Sequence, residues 1–335
     1  MNPFFTIVIP VYNVAPFLRE CLDSVCTQTF TDWEAICIDD GSTDGSGEIL
    51  DEYAGKNKLF RVIHQQNSGV GAARNKAIDK ARGDWICFLD ADDVWHVNLL
   101  AIIEQGIKKN KDAKLLRFSY KEIDEVGYLD YDISKYINCF RIIDISKKIS
   151  MNDFFNFYLF CYVYRRDIIG IRRFPRYIRG EDRCFLNDIQ LNVVNSIYAT
   201  DIPLYGYRKR QGSAMNSIPS YQVLCDEMDH RLDIMEMIDA SGKKVVYAGD
   251  VWLEKYFTTH FYHIISSRDK DKYKVVDAWR SRLPRLHRMK GLSKYGCFVS
   301  WSCSYIHLRV WDALVCYIIP RLHMIVRQCA GSKGN

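Results

Sequence analysis

The sequence predicts an α/β domain whose central sheet is mainly parallel and carries helices on both faces. Short apolar runs alternate with amphipathic segments through the first 110 residues, which is the repeating strand-and-helix pattern of a parallel sheet. Acidic and glycine-containing segments follow several of these runs. They would therefore lie at the carboxyl ends of the strands, which is where parallel α/β sheets bind ligands. A hydrophobic content of 48% with 26% charged residues is ordinary for a globular chain of 335 residues. That length allows one large domain with a smaller appendage.

The individual elements follow from local patterns. Apolar runs rich in β-branched and aromatic residues predict strands at residues 5–9, 34–38, 60–64 and 85–89. Apolar residues at helical spacing predict helices at residues 17–27, 45–53, 71–81 and 98–110. The later segment is less regular, and its patterns predict a helix at 182–193 and strands at 115–120, 158–164, 195–199 and 203–208.

Two acidic clusters, residues 38–44 (IDDGSTD) and 88–93 (FLDADD), each follow an apolar run. Carboxylates at i and i+2 of an extended chain point the same way, so Asp90 and Asp92 can converge on one divalent cation that also binds phosphate oxygens. Asp39 and Asp40 would lie at the same sheet edge, where they can accept hydrogen bonds from a base or ribose. Acidic residues after strands also act as turn and helix-capping residues, and each cluster alone leaves that alternative open.

A third segment, residues 67–77 (NSGVGAARNKA), lies between the two clusters. It is a glycine-containing entry into a helix, and it carries Arg74 toward the same sheet edge. The structural alternative is an ordinary helix start with a solvated arginine. Three such elements in order favour a ligand site over three unrelated turns.

Five segments occur in a fixed order along the chain: 6–13 (TIVIPVYN), 21–30 (CLDSVCTQTF), 38–44, 73–75 (ARN) and 88–93. Together they resemble the successive signatures of family 2 glycosyltransferases with the GT-A fold, of the kind that builds bacterial surface polysaccharides. The resemblance extends over roughly residues 4 to 210 and continues in 180–183 (GEDR), 205–208 (YGYR) and 212–213 (GS). It departs at Val97 and Asn98, where the family often has a Pro-Asp pair, and this concerns helix capping more than chemistry.

The resemblance implies a donor site at the amino-terminal half of the sheet. Pro10 and Tyr12 would line the base pocket. Asp40, together with Asp39, would bind uracil and ribose, and Arg74 would lie near the nucleotide.

The same resemblance implies the metal and catalytic residues. Asp92 would be the principal metal ligand, and Asp90 the other acidic end of the Asp-x-Asp motif, which places Ala91 beside the nucleotide-sugar. In the later Glu-Asp pair, Asp182 would be the catalytic base. Glu181 stays open as the alternative base or as a carboxylate that stabilises a helix start.

The function expected from these residues is inverting, metal-dependent transfer of a sugar from a nucleotide-sugar, expected to be a UDP-sugar, to a hydroxyl of a saccharide or lipid-linked saccharide. Mn²⁺ or Mg²⁺ would neutralise the leaving diphosphate. A nucleotidyltransferase is one alternative, but a glycine-rich phosphate loop is missing at residues 10–13. A non-catalytic nucleotide-sugar-binding or membrane scaffold protein is the other, and the intact acidic motifs argue against it.

The twelve cysteines show no paired Cys-x-x-Cys motif, and no secretory signal peptide is recognisable. Several, such as Cys37 and Cys87, fall inside predicted strands. Reduced, buried thiols in a cytoplasmic protein are therefore expected. A structural zinc site is the alternative, although no local Cys/His spacing supports it.

The chain is expected to divide into a catalytic domain at 1–215 and a helical, basic region at 216–335. Within the first, residues 1–110 would form the nucleotide and metal half and 111–215 the acceptor half. From residue 268 to the end, fourteen Lys and Arg against four Asp give +10 in a chain of net charge +5. Aromatic residues interleave with this charge, which is typical of a helix lying in a membrane interface. Charged residues interrupt the apolar run, so a spanning helix is not expected.

The region would then attach the enzyme peripherally to the inner face of the cell membrane, or alternatively pack on the catalytic domain. Nucleic-acid binding has no recognisable fold to support it, and the oligomeric state stays open. A second basic segment has seven arginines at 165, 166, 172, 173, 176, 179 and 183. It would be either a solvated basic face or a contact for a diphosphate-lipid acceptor or anionic membrane.

Overall fold

The structure, a computed structural model, describes residues 2–124, 140–150, 158–209 and 221–246, together with 277–278, 281–282 and 284–285. The chain divides into two compact units. The first unit is Met1–Ile218 with Ser241–Val245, and it contains every predicted site residue. The second unit is Pro219–Ala240 with Val246–Asn335.

Four parallel strands and the helices between them form the first half of the sheet. The strands are β1 (Phe5–Val11), β2 (Trp33–Asp39), β3 (Phe60–His64) and β4 (Trp85–Phe88), in the order β3-β2-β1-β4. The helices are α1 (Ala15–Cys26), α2 (Ser46–Lys56), α3 (Val70–Lys80) and α4 (Leu99–Lys109). Every residue of β1 and β2 is buried, as expected for strands covered on both faces. The predicted α/β alternation is confirmed.

The sequence of α1 explains why this segment forms a helix that packs one face on the sheet. Proline lies in its first turn, where the missing amide hydrogen costs no intrahelical bond. Its buried residues recur at i, i+3, i+4 and i+7, which is the spacing of one helical face: Leu18, Cys21, Leu22 and Val25.

The second half of the sheet is mixed. The strands β5 (Val94–Trp95), β6 (Leu115–Ile123), β9 (Tyr162–Arg165) and β10 (Ser196–Arg208) continue it in the order β4-β9-β6-β10-β5. β6 and β10 are parallel, whereas β9 is antiparallel to both of its neighbours. β7 (Arg141–Asp144) pairs with β10, and β8 (Lys148–Ser150) pairs with β11 (Lys244–Val246). Two helices, α5 (Arg166–Ile169) and α6 (Glu181–Asn192), complete this half.

Two strand predictions in this half need correction. Residues 158–164 are not one strand, because Leu159–Cys161 forms a 3₁₀ turn closed by the Cys161 amide on the Tyr158 carbonyl at 2.9 Å. The two strands predicted at 195–199 and 203–208 are the single strand β10. Its register with β6 shifts on both sides of Pro203, since proline has no amide hydrogen for the ladder. This one strand brings Tyr205 and Arg208 to the loop that follows β4.

The second unit is described mainly by the helix α7 (Tyr221–Ser241). Arg282 Nε donates to Asp229 Oδ1 at 2.7 Å, and Arg285 pairs with Asp233 at 2.6 Å and with Glu236 at 2.8 Å. Carboxylates of this helix therefore neutralise part of the basic charge of region 216–335. Among the described parts of the chain, no helix is long and apolar enough to cross a membrane. The predicted membrane-contact segment, residues 290–328, lies outside the described residues.

The cysteines of the described ranges are free thiols. Cys26 is exposed, and the others are buried: Cys21, Cys37, Cys87, Cys161, Cys184 and Cys225. Burial raises the pKa of the Cys37 and Cys87 thiols, which lie inside β2 and β4 and therefore stay protonated.

Candidate active site

The loop that joins β4 to β5 contains the predicted metal motif. Asp90 and Asp92 are half-buried, whereas Ala91 and Asp93 are buried. The loop turns tightly, with the Asp93 amide donating to the Asp90 carbonyl at 3.0 Å. The carboxyl end of β4 thus presents two partly accessible carboxylates and directs the third into the protein.

Asp93 anchors this loop, a role that the sequence analysis missed. Tyr205 Oη donates to Asp93 Oδ2 at 2.6 Å and accepts from the Asp90 amide at 3.2 Å. The Arg208 amide donates to Asp93 Oδ1 at 2.7 Å. Burial raises the pKa of Asp93 well above its usual value, with a further contribution from the charges of Asp92 and Asp90. The only sequence signal for this role was the presence of a third aspartate in the motif. Its partner Tyr205 lies 112 residues further along the chain, so no local pattern relates the two.

Arg208 holds the same loop from another side. Its side chain is completely buried, and its Nε donates to the Asp92 carbonyl at 2.8 Å. One terminal nitrogen pairs with Glu20 Oε2 of α1 at 2.6 Å, and the guanidinium lies 5.4 Å from the ring centroid of Phe17. β10 and α1 therefore fix the backbone from which Asp92 projects.

Replacing Tyr205 with Phe tests this anchor. The change leaves the buried carboxylate of Asp93 without one of its two hydrogen bonds, so we expect the free energy of unfolding to fall by about 1–3 kcal/mol. Urea denaturation measures this loss.

The matched control for this variant is Tyr162→Phe. Tyr162 is as deeply buried, but its hydroxyl accepts a neutral hydrogen bond from Gln190 at 3.0 Å. We expect a smaller loss of stability in this variant. Equal losses in the two variants would show that the hydrogen bond from Tyr205 to Asp93 contributes no more than a neutral one.

Arg74 joins the metal motif to the Glu-Asp pair. It lies in the first turns of α3 and is buried, with one terminal nitrogen 2.8 Å from Asp90 Oδ1 and the other 2.8 Å from Glu181 Oε1. The Phe174 ring lies 5.5 Å from the guanidinium carbon. The Nε atom of Arg74 is buried without a hydrogen-bond partner. One cation therefore brings together two carboxylates that are remote in sequence and still has an unused donor.

The Glu-Asp pair begins helix α6. The preceding residue, Gly180, has φ 90°, a left-handed conformation that glycine adopts without steric cost. Glu181 is buried, and burial raises its pKa to about 7, with a further contribution from Asp182, while Arg74 opposes the rise. Asp182 is half-buried and accepts from the Arg183 amide at 2.8 Å. The two neighbouring carboxylates thus have different surroundings: one is held by Arg74, and the other is more accessible.

Asp40 supports the start of helix α3. Its Oδ1 accepts from the Gln65 side chain at 2.7 Å and from the Ser68 amide at 2.8 Å, and its Oδ2 accepts from the Gly69 amide at 2.8 Å. The carboxylate therefore positions the helix that carries Arg74. Oδ1 already accepts two hydrogen bonds, whereas Oδ2 accepts one and keeps a second lone pair for a ligand.

Asp39 is also held by protein groups. Its Oδ1 accepts from the Ser42 amide at 2.9 Å, and its Oδ2 lies 2.8 Å from His64 Nδ1. Burial alone would raise the pKa of Asp39, but the hydrogen bonds from Ser42 and His64 outweigh it and lower the pKa overall. His64 Nε2 lies 3.1 Å from Asp51, so the imidazole bridges two carboxylates.

This bridge predicts a pH-dependent contribution to stability. Hydrogen bonds to Asp39 and Asp51 raise the pKa of His64, so its stabilising effect is complete at low pH and is lost as pH rises through the raised pKa. Thermal melts of wild type and His64→Gln between about pH 6 and pH 9 should show a difference in Tm that shrinks with rising pH. A difference that is constant across this range would exclude the charged bridge.

Pro10 and Tyr12 lie on either side of the end of β1. Pro10 is buried in the strand beside Ile38, whereas Tyr12 is 50% exposed. The residue after Tyr12, Asn13, has φ 51°, and its side chain accepts from the Thr43 amide at 2.8 Å. Tyr12 is therefore an exposed ring on a loop that is fixed against the loop following β2.

The carboxylates of the β4 loop suit a hard divalent cation only in part. Asp90 and Asp92 offer the oxygen ligands that Mg²⁺ and Mn²⁺ prefer. Within the described ranges, no group of three or more His, Cys, Asp or Glu side chains could hold a metal by itself. The donor set thus fits a cation whose remaining ligands come from diphosphate and water.

Several side chains of the arginine-rich segment form ion pairs. Arg165 pairs with Asp167, Arg172 with Asp188 and Arg173 with Asp79, at 2.5–2.8 Å. Three of the seven arginines are therefore paired with carboxylates, and both interpretations of the segment stay predictions.

An α/β sheet that presents strand-end carboxylates beside a second carboxylate pair at a helix start has the organisation of a GT-A sugar transferase. The chain belongs to Glycosyl transferase family 2, which it matches over residues 6–169. The glycosyltransferase EpsJ of Bacillus subtilis (strain 168) is 32% identical over 235 residues, which cover 68% of this chain and 67% of EpsJ. GlyG, a glycosyltransferase of Streptococcus pneumoniae serotype 4, is 28% identical over 295 residues, with coverage of 82% and 94%.

Solved structures show the same fold. The crystal structure of S. aureus TarS 1-349 in complex with UDP has a TM-score of 0.66 and 19% sequence identity. The match covers 93% of this chain and 88% of that chain. The complex of the same TarS fragment with UDP-GlcNAc gives a TM-score of 0.65. The protein is therefore a glycosyltransferase with the GT-A fold that transfers a sugar from a nucleotide-sugar.

Proposed function

We propose that the protein is an inverting, metal-dependent glycosyltransferase that uses a UDP-sugar and glycosylates a hydroxyl of a saccharide or lipid-linked saccharide during surface polysaccharide synthesis. The ion pairs of Arg74 with Asp90 and Glu181 are the observation that carries this proposal. They join the metal motif and the Glu-Asp pair in one cluster, and the transfer requires both parts.

The donor end of the site supports a uridine nucleotide. Tyr12 offers an exposed ring on a fixed loop, and Asp39 and Asp40 lie beside it at the end of β2 with acceptor capacity left for a base or ribose. The TarS complexes hold UDP and UDP-GlcNAc, which favours the same nucleotide here. Arg74 Nε is buried without a hydrogen-bond partner. An oxygen of the bound nucleotide-sugar would accept a hydrogen bond from it.

Asp92 and Asp90 would hold the Mn²⁺ or Mg²⁺ ion, which when bound supplies positive charge to the leaving diphosphate. The chain contributes the position of these carboxylates. Asp93, Tyr205 and Arg208 fix the loop, so the two acidic side chains need little reorganisation when the donor binds.

Asp182 would act as the general base. Its carboxylate is half-buried, whereas Glu181 is buried against Arg74, so Asp182 is better placed to meet an acceptor hydroxyl. It would take the proton from that hydroxyl as the oxygen attacks the anomeric carbon on the face opposite the diphosphate. One displacement of this kind inverts the configuration. Glu181 would then be a positioning residue that holds Arg74 beside Asp90.

UDP release tests the proposal. The full chain is incubated with UDP-GlcNAc, UDP-Glc, UDP-Gal or UDP-glucuronic acid and with Mn²⁺, in the presence and absence of bacterial lipid extract and oligosaccharides. We expect release from at least one donor, dependent on the cation and increased by an acceptor. Absence of release from all four UDP-sugars, or release that EDTA does not reduce, would contradict the proposed donor or metal.

The basic region at 216–335 is proposed to bind the cytoplasmic membrane face through residues 290–328, placing the first unit near a lipid-linked acceptor. Each basic residue near an anionic surface contributes about 1 kcal/mol. Changing Arg309, Arg321 and Arg327 to Glu should therefore reduce flotation of the chain with phosphatidylglycerol vesicles, most strongly at low salt.

The control changes three exposed lysines of the first unit, Lys58, Lys111 and Lys121, to Glu, which alters net charge by the same amount. It should float as the wild type does. Equal loss in both triple variants would show a response to net charge alone, and the absence of flotation by the wild type would remove the membrane role.

A further inference from the structure

A cluster of five aromatic rings, of which only Tyr205 has a part in the mechanism above, lies beside β6 and β10. Phe160 stacks on Tyr205 with centroids 4.1 Å apart, on Tyr158 at 5.2 Å and on Tyr207 at 5.7 Å, with interplanar angles of 14–18°. Tyr120 packs edge-on against Tyr158 at 5.5 Å. We call these five residues the aromatic platform.

The platform lies between the two acidic parts of the active site. Tyr205, opposite Tyr120 in the pairing of β10 with β6, donates its hydroxyl to Asp93 of the metal loop. At the other side, the Arg183 guanidinium carbon lies 5.9 Å from the Tyr158 ring centroid. Arg183 directly follows Asp182, the proposed base. The platform therefore borders both the metal loop and the helix start that carries the proposed base.

Exposure distinguishes the platform from an ordinary core cluster. Phe160 and Tyr205 are buried, but Tyr120, Tyr158 and Tyr207 are only half-buried. The accessible members are thus all tyrosines, which combine an apolar ring with a hydroxyl that can donate and accept. Burial, followed by the charge of Asp93, raises the pKa of Tyr207, so its hydroxyl remains a donor at neutral pH.

We propose that Tyr120, Tyr158 and Tyr207 form the binding site for the sugar ring of the acceptor. A pyranose has an apolar face of C–H groups that packs on aromatic rings and a rim of hydroxyls that pairs with phenols and with Arg183. A lipid chain would not use these hydroxyls or the cation. The inference rests on the proposed function, because it assigns the acceptor of that same reaction.

Glycan binding tests the site. The fluorescently labelled full chain, with UDP and Mn²⁺ present, is applied to a printed array of bacterial oligosaccharides. The variants are Tyr158→Leu and Tyr207→Leu. The control is Tyr198→Leu, which removes another half-buried tyrosine of β10, one stacked on Phe140 at 4.9 Å at the opposite end of the strand. UDP binding by each preparation is measured separately.

We expect the wild type and Tyr198→Leu to bind the same glycans, and both platform variants to bind them about fivefold to tenfold more weakly while still binding UDP. Unchanged glycan binding in both platform variants, an equal loss in the control, or no glycan binding by a wild type that binds UDP would overturn the acceptor site alone. Absence of UDP binding by the wild type would instead refute the proposed function on which it rests.

Discussion

Asp92→Asn should abolish transfer while the fold stays intact. The substitution removes one negative charge from the proposed metal site, and metal stabilisation of a leaving diphosphate is worth several kcal/mol. Since 1.36 kcal/mol is a factor of ten in rate, UDP release should fall at least about a hundredfold. Asn keeps the size and one acceptor oxygen of the half-buried Asp92 side chain, so Tm should change little. Steady-state UDP release and thermal melts measure the two effects.

Asp167→Asn is the matched control for this change. It removes the same charge from an aspartate of α5 that pairs with Arg165, away from the β4 loop. Its turnover should equal that of the wild type. Near-normal turnover of Asp92→Asn at limiting Mn²⁺ would show that the metal has been assigned to the wrong carboxylate.

Asp182→Asn should lower the transfer rate by at least about a hundredfold, the usual scale for removal of a general base. UDP affinity should change little, because the substitution leaves the Arg74 ion pairs and the β4 loop in place. Asp188→Asn provides the control, since Asp188 lies on the same helix and pairs with Arg172. Single-turnover transfer and equilibrium UDP titration separate chemistry from binding.

Glu181→Gln distinguishes the two members of the pair. It removes one of the two ion pairs of Arg74, so we expect weaker UDP binding and lower stability rather than a pure loss of rate. Normal transfer by Asp182→Asn beside an inactive Glu181→Gln variant that still binds UDP would move the base to Glu181.

The sequence predicted the local elements of the first half of the fold because their signals are local. Buried parallel strands read as continuous apolar runs, and α1 shows its buried face at helical spacing. The motif residues follow these strands, so their positions at the sheet edge were predictable too. The 3₁₀ turn at Leu159–Cys161 was not, since a short apolar run looks the same in a strand and in a turn.

The contacts that assemble the site could not be predicted from local sequence patterns. Arg74 and Glu181 are 107 residues apart, and Asp93 and Tyr205 are 112 apart, so no periodicity or spacing relates them. The contact of Asp93 with Tyr205 depends on β10, whose register with β6 shifts at Pro203. The same register places Tyr120 opposite Tyr205 and thereby forms the aromatic platform.

Asp92 and its neighbours are proposed to bind a UDP-sugar together with a divalent cation. Calorimetric titration of the full chain with UDP, in Mn²⁺ and in EDTA, tests it most directly, with GDP as the competing nucleotide. We expect UDP binding in Mn²⁺ that is tighter than GDP binding, is lost in EDTA and is lost in Asp92→Asn. UDP binding of equal strength in EDTA, or preferential binding of GDP, would contradict it.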